Sequence, residues 1–216
     1  MLVLTRTEVG RRLATALVPV LGMEPTVVIG ISPGGIAVAA EIARLFEAPL
    51  DVLPACRLDV PGRLRSTFGA IANGSTLLLP GRVAALALPE AYVARLVEVA
   101  HEEVAEAARA WRGQAGPVSL TGRTVVLADD GLAEPVLLQA AVRAVRSLGA
   151  RRVVLAAPTA TAECCADLGR AIDTSVLLYE AGAPCPLRIQ DQTFAQTTGA
   201  DVSTLVRTSR PVAVAS

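Results

Sequence analysis

Residues 124–142, TVVLADDGLAEPVLLQAAV, restrict the fold more than any other stretch of the chain. A continuous apolar run, Val125, Val126, Leu127 and Ala128, stops at two adjacent acids, Asp129 and Asp130, and then at Gly131. A new apolar pattern follows, with Val136, Leu137, Ala140 and Ala141 at helical spacing. The order is strand, acidic turn, helix. In open α/β sheets ligands bind at the carboxyl ends of the strands, where a loop leads into a helix N-terminus whose free N–H groups attract anions. The acids also have a purely structural reading, because acids cap the following helix and favour its positive end.

The flanking segments extend this unit into a parallel sheet. Thr7 is a plausible N-cap for a first helix in which Val9, Leu13, Leu17 and Val20 recur and which Gly22 closes. Thr26 to Ile31 reads as a buried β-branched strand, Gly34-Gly35 as a turn, Ile36 to Phe46 as an alanine-rich helix and Leu50 to Ala55 as the next strand. This is a βαβ unit with the right-handed crossover such units adopt. Further on, Arg151 to Ala156 and Thr174 to Tyr179 read as strands, with a helix over Thr161 to Ala171 between them.

The middle of the chain departs from the α/β alternation. Phe68 to Ala72 and Ser75 to Leu79 flank Asn73-Gly74, a strong two-residue hairpin signal. Such a hairpin inside a parallel domain sits at an edge or forms a flap. A long amphipathic helix then starts at Pro89, with Val93, Leu96, Val97, Ala100, Val104, Ala107, Ala108 and Trp111 on one face, and Gly113 ends it. That apolar face suits either core or an interface. Trp111, the single tryptophan, reads as a packing or dimer contact.

Composition excludes several functions. Acids and bases balance at 20 each, so no net field steers the chain to nucleic acid or to an anionic membrane. All the bases are arginine, which rules out lysine Schiff-base chemistry. Cys56, Cys164, Cys165 and Cys185 show no metal-binding spacing, and the one histidine, His101, falls in mid-helix. No signal-peptide pattern or membrane-length apolar run is evident, so the expected compartment is the cytoplasm.

Asp129-Asp130-Gly131 after a β-branched strand resembles the ribose-phosphate motif of type I phosphoribosyltransferases, in particular their bacterial predicted phosphoribosyltransferase branch. The resemblance covers nearly the whole chain. EVGRRLATAL (8–17) looks like the family's first helix, VVIGISPGGIAVAA (27–40) like its pyrophosphate-loop unit, RLDVPG (57–62) like its next loop and FAQTTGADV (194–202) like its C-terminal segment. The order of these matches is the specific signal. The implied architecture is an α/β domain over residues 1–216. It has a central, mainly parallel sheet flanked by helices, a hairpin flap with a long-helix insertion over 63–118, and a small C-terminal hood over 184–210.

The resemblance implies a site in which Asp129 and Asp130 hold the ribose hydroxyls of phosphoribosyl pyrophosphate and meet Mg²⁺ through the substrate. Ser32, Gly34 and Gly35 would approach the pyrophosphate, Arg57 would be the basic residue of the next loop, and Gly131, Leu132, Ala133 and Glu134 would wrap the 5-phosphate. In the family this region carries a flexible loop that closes over the site; here it reads Arg63-Leu64-Arg65, whose arginines either meet a phosphate or are simply solvated, and the resemblance allows a homodimer.

Two departures from the family pattern bear on activity. Where the family writes Ala-Thr-Gly-x-Thr, this chain has Ala133, Glu134, Pro135, Val136 and Leu137. Glu134 brings negative charge to a dianion site, Pro135 removes a backbone donor, and the two apolar residues lack hydroxyls. Where the family writes Pro-Arg-Gly-Gly, this chain has Ser32-Pro33-Gly34-Gly35, without the arginine. Two functions stay open: a transferase with an unusual phosphate loop, or a catalytically silent relative that binds a nucleotide effector or a partner protein.

Overall fold

The computed structural model describes residues 2–114, 116–131, 134–179, 187–189 and 199–208. The chain begins with strand β1 (Leu2–Leu4) and helix α1 (Arg6–Leu21). Thr5, not Thr7, caps α1. Glu8 N donates to the Thr5 hydroxyl while the Glu8 carboxylate accepts from Thr5 N at 2.8 Å, a reciprocal box that needs an acid three residues on. Thr7 has Gly10 at that position.

Strand β2 (Thr26–Gly30), helix α2 (Pro33–Leu45) and strand β3 (Leu50–Val52) form the expected βαβ unit. The glycines do not make its turn. Pro33 takes the first helical position, the Ser32 hydroxyl caps Gly35 N at 2.9 Å, and Gly34 and Gly35 lie inside the first turn of α2 without positive φ.

Strand β4 (Ala55–Leu58) then starts a second sheet with β5 (Gly69–Ala72) and β6 (Ser75–Leu78), antiparallel in the order β4-β5-β6. The hairpin turns at Asn73-Gly74 as read, with positive φ at both. A short helix that the sequence pattern did not reveal, α3 (Pro80–Ala85), precedes the long helix α4 (Glu90–Arg112), for which Pro89 is the cap residue.

Strand β7 (Thr124–Ala128), helix α5 (Pro135–Ser147), strand β8 (Arg152–Ala157), helix α6 (Ala162–Leu168) and strand β9 (Thr174–Leu177) complete the parallel sheet, ordered β3-β2-β7-β8-β9. A 3₁₀ turn at Gly169–Ala171 replaces the end of the expected last helix. Near the C-terminus, β10 (Leu187–Ile189) pairs in parallel with β1, and α7 (Gly199–Thr208) packs on α4 and α2. The polar segment with Asp191, Gln192, Gln196, Thr197 and Thr198 lies outside the described residues.

Alternation along the strands sorts side chains into successive cores. Val28, Val126 and Val154 face α1 and α2, whereas Val27, Ile29, Val125, Leu127 and Leu155 face α5. On the far side of α5, Ala70 and Ala72 of β5 join that same core, while Ile71 and Phe68 turn the other way to meet Val93, Ala100 and Val104 of α4. The layers run α1 and α2, parallel sheet, α5, antiparallel sheet, α4. Burying a side chain such as Leu127 or Ile71, both fully inaccessible, contributes about 1.5–3 kcal/mol. The apolar stripe of α4 is thus packed within the chain. Its far end is fixed by Arg112, which donates to buried Asp51 at 2.8 Å and to Val52 O at 2.7 Å, and His101 bonds the Thr76 hydroxyl of β6 at 2.7 Å.

Candidate functional site

Strand order places the site. The chain leaves β2 toward β3 on one side and leaves β7 toward β8 on the other, so a crevice opens between the carboxyl ends of β2 and β7, where Gly30 and Ala128 are paired. The loops after these strands carry Ser32 and Asp129-Asp130-Gly131. The sequence motifs meet here.

Both acids are buried, and both have partners. The Asp129 backbone N–H donates to Ala156 O at 3.0 Å, continuing the β7–β8 ladder past the strand end. Its carboxylate accepts from Gly131 N at 2.7 Å and lies 3.5 Å from the Ser32 hydroxyl. Gly131 adopts φ 88, and a Cβ there would come within 3.0 Å of Pro158 Cγ. Asp130 turns the other way and accepts from both Nε and Nη2 of Arg6, each 3.1 Å from Oδ2. Arg6 carries no sequence signal for this role. It sits in the first turn of α1, just ahead of the segment 8–17 and 124 residues from Asp130, and the packing of α1 along α2 brings it here.

The glycines of the Ser32–Gly35 segment serve this arrangement directly. A Cβ on Gly34 would fall 1.9 Å from Asp130 Oδ2 and 2.7 Å from Arg6 Nε, and one on Gly35 would fall 2.7 Å from Ala128 O. Gly34 makes room for the ion pair, and Gly35 lets α2 start against the end of β7.

The remaining predicted residues form a second charged group. Arg57 lies on β4, half-exposed, with Asp59 Oδ2 at 3.1 Å from its Nε and the Glu134 carboxylate against its Nη1. The neighbouring Asp59 and then Glu134 hold the guanidinium pKa above its ordinary value. Glu134 is the cap residue of α5, yet its side chain makes no cap bond. Its carboxylate occupies the arginine instead. Leu132 and Ala133 lie outside the described residues.

Two small pockets straddle the acid pair. One, of about 310 Å³, includes Asp130, Ser32, Pro33, Gly34 and Trp111 in its lining. Trp111 packs against the core as the sequence suggested, and it also walls this pocket. The other, of about 280 Å³, includes Asp129, Gly131, Glu134 and the hydroxyl-bearing Thr159 and Thr161. A ligand spanning both would present hydroxyls to the two carboxylates and a terminal anion to the start of α5. Doing so would require rearranging bonds that the chain now makes with itself.

Comparison with known proteins places this geometry in context. No family model matches the chain. Two Mycobacterium tuberculosis proteins, "Putative phosphoribosyl transferase Rv0571c" of strain H37Rv and its counterpart MT0597 of strain CDC 1551, are 36% identical over 159 residues, or 71% of this chain. The chain spans about a third, 34%, of the length of those relatives. Among solved structures, TT1426 from Thermus thermophilus superposes with a TM-score of 0.76 at 28% identity, over 98% of this chain and 100% of that one.

Proposed function

Because this chain belongs to the type I phosphoribosyltransferase family, we propose that it binds a phosphorylated ribose, phosphoribosyl pyrophosphate or a nucleotide, across the β2–β7 crevice. The observation that carries this reading is the buried pair Asp129 and Asp130 at the switch point, each lining a separate pocket. Carboxylates accept from ribose hydroxyls, and a sugar between the two pockets would meet both.

In this reading Asp129 and Asp130 orient the ribose, Ser32 and the start of α2 face the pyrophosphate, and Arg57 stands beside the phosphate loop of Gly131, Leu132, Ala133 and Glu134. The residues present suit Mg²⁺ that arrives with the substrate. Among the described residues no cluster of three or more metal-ligating side chains exists, while one or two carboxylates plus substrate phosphates make an ordinary Mg²⁺ shell. Bound there, Mg²⁺ would neutralise charge on departing pyrophosphate. The chain's own contribution is to position the sugar and exclude water, which is most of what such a transfer requires.

A second reading, binding without transfer, is favoured by Glu134. Its carboxylate holds Arg57, so the phosphate loop already contains an anion, and a dianion would have to displace it. In that case the protein is a nucleotide-effector or interaction module with the family's fold.

Calorimetric titration with phosphoribosyl pyrophosphate, with and without Mg²⁺, separates these readings from failure. Micromolar, Mg²⁺-dependent binding that disappears in Asp129→Asn/Asp130→Asn supports the site and justifies a search for the acceptor. Binding of nucleotide but not of phosphoribosyl pyrophosphate supports the effector reading, and absence of both overturns the proposal.

A further inference from the structure

A cleft of about 850 Å³ is distinct from the acid-pair site: Ser32, Gly34, Asp129 and Asp130 take no part in its lining. It lies beyond Glu134, between the segment from Asp59 to Thr67, α3 and the first turn of α5. Four arginines face it, Arg57, Arg63, Arg65 and Arg82, against three acids, Asp59, Glu134 and Asp167.

The charges are unequally committed. Arg57 is held by Asp59 and Glu134. Arg82 spends its guanidinium on backbone carbonyls, donating to Arg65 O at 2.6 Å and Thr67 O at 3.2 Å, so its charge is fixed in place without a carboxylate to neutralise it. Arg63 and Arg65 are exposed and pair with no acid among the described residues. Arg63, Arg65 and Arg82 therefore face the cleft outside any carboxylate pair, and with Asp167 also in the lining the cleft keeps one net positive charge.

The wall that carries them is built. Ser66, 1% exposed, donates to Arg63 O at 2.6 Å and accepts from Val60 N at 2.9 Å, and the Thr67 hydroxyl donates to Asp59 at 2.5 Å. Arg65 itself is held at φ 52, in the left-handed region that non-glycine residues rarely enter, and its carbonyl is the one that Arg82 grips. Backbone strain kept in place by a buried hydroxyl and a cross-loop arginine fixes where the two free guanidiniums start from. Arginine forks recognise phosphate oxygens bidentately, and a cleft of this volume takes a ligand larger than one phosphate.

We propose that this cleft binds a polyphosphate anion, free or as the tail of a nucleoside triphosphate, through Arg63, Arg65 and Arg82. The cleft shares Arg57 and Glu134 with the loop after Gly131, but Arg63, Arg65 and Arg82 have no part in the reading of the acid pair.

The test is titration of the whole chain with inorganic triphosphate and, separately, with ATP, both without Mg²⁺, at low and at raised salt. Wild type binds triphosphate with an affinity that falls as salt rises. Arg63→Gln/Arg65→Asn, at exposed positions and with asparagine tolerant of the left-handed backbone, binds at least tenfold more weakly, while Asp129→Asn/Asp130→Asn binds as wild type does. Equal affinity for triphosphate and ATP assigns the free anion as ligand, and tighter ATP binding assigns the nucleotide. Absence of binding to both, equal binding by the arginine variant, or loss confined to the aspartate variant would each overturn the proposal.

Discussion

Arg6 reaches across 124 residues of chain to Asp130, donating from Nε and Nη2 to the same carboxylate oxygen at 3.1 Å. Both side chains are largely buried, at 15% and 5% exposure, so the pair is screened far less than a surface ion pair. Arg6→Ala leaves a buried carboxylate short of its partner and is expected to cost about 2–4 kcal/mol, with Asp130→Asn costing less. The double variant should cost less than the sum by at least about 1 kcal/mol. Urea unfolding of the four proteins measures this coupling; additive losses would show that the pair does not act as a unit.

The two adjacent glycines of α2 should respond differently to the same change. Gly34→Ala drives a methyl into the Asp130 carboxylate, whereas Gly35→Ala drives one into the Ala128 backbone carbonyl. Each is expected to destabilise by about 1–3 kcal/mol, more than the roughly 1 kcal/mol by which alanine favours a helix interior. Asp130→Ala should restore most of the loss in Gly34→Ala and none of it in Gly35→Ala, as read from melting temperatures.

Glu134 supplies a test of the phosphate loop. Glu134→Thr removes the anion held by Arg57 and adds a hydroxyl at the N-cap of α5, where threonine is favoured. Affinity for ribose 5-phosphate, measured by titration, should rise about tenfold, or about 1.4 kcal/mol. Unchanged affinity would mean that Glu134 does not compete with the ligand.

At acid pH the response should include Asp173. Burial alone would raise its carboxyl pKa, but the Val153 N–H at 2.6 Å and Arg146, also at 2.6 Å, outweigh burial and leave it below the ordinary value of 3.8. A folded-state pKa below the unfolded one means that the unfolded chain takes up the proton first. The stabilisation is therefore complete above about pH 4 and is lost as pH falls further. With 42% of its side chain exposed, Asp173 contributes less than about 1 kcal/mol after solvent screening. Asp173→Asn should flatten the fall of the urea midpoint below pH 4 while lowering it slightly at pH 7.

The parallel sheet was readable because β2, β7 and β8 are uninterrupted apolar runs, and the hairpin because Asn73-Gly74 admits few other conformations. Position along the chain also gave the acids their place at a strand end. What local pattern could not supply was pairing. Arg6 lies ahead of the helix read from Thr7 and carries no local signal, and Glu134 reads as a negative charge at a dianion site; its neutralisation by Arg57 depends on β4 being brought beside α5. The glycines after Ser32 were read as a turn because Gly-Gly is a common breaker. Their requirement comes from close approach, which involves residues nearly a hundred positions away. Helix α3, at 6 residues, is too short for its periodicity to show in the sequence.

Helix α5 has the parallel sheet on one side and the antiparallel sheet on the other, and its first residue follows Glu134. It is a party wall. A substitution on the antiparallel sheet has to fit the outward face of α5 while the inward face keeps its packing against β7 and β8. A change in the antiparallel sheet can therefore shift the start of α5, and Glu134 with it, without touching the loop itself.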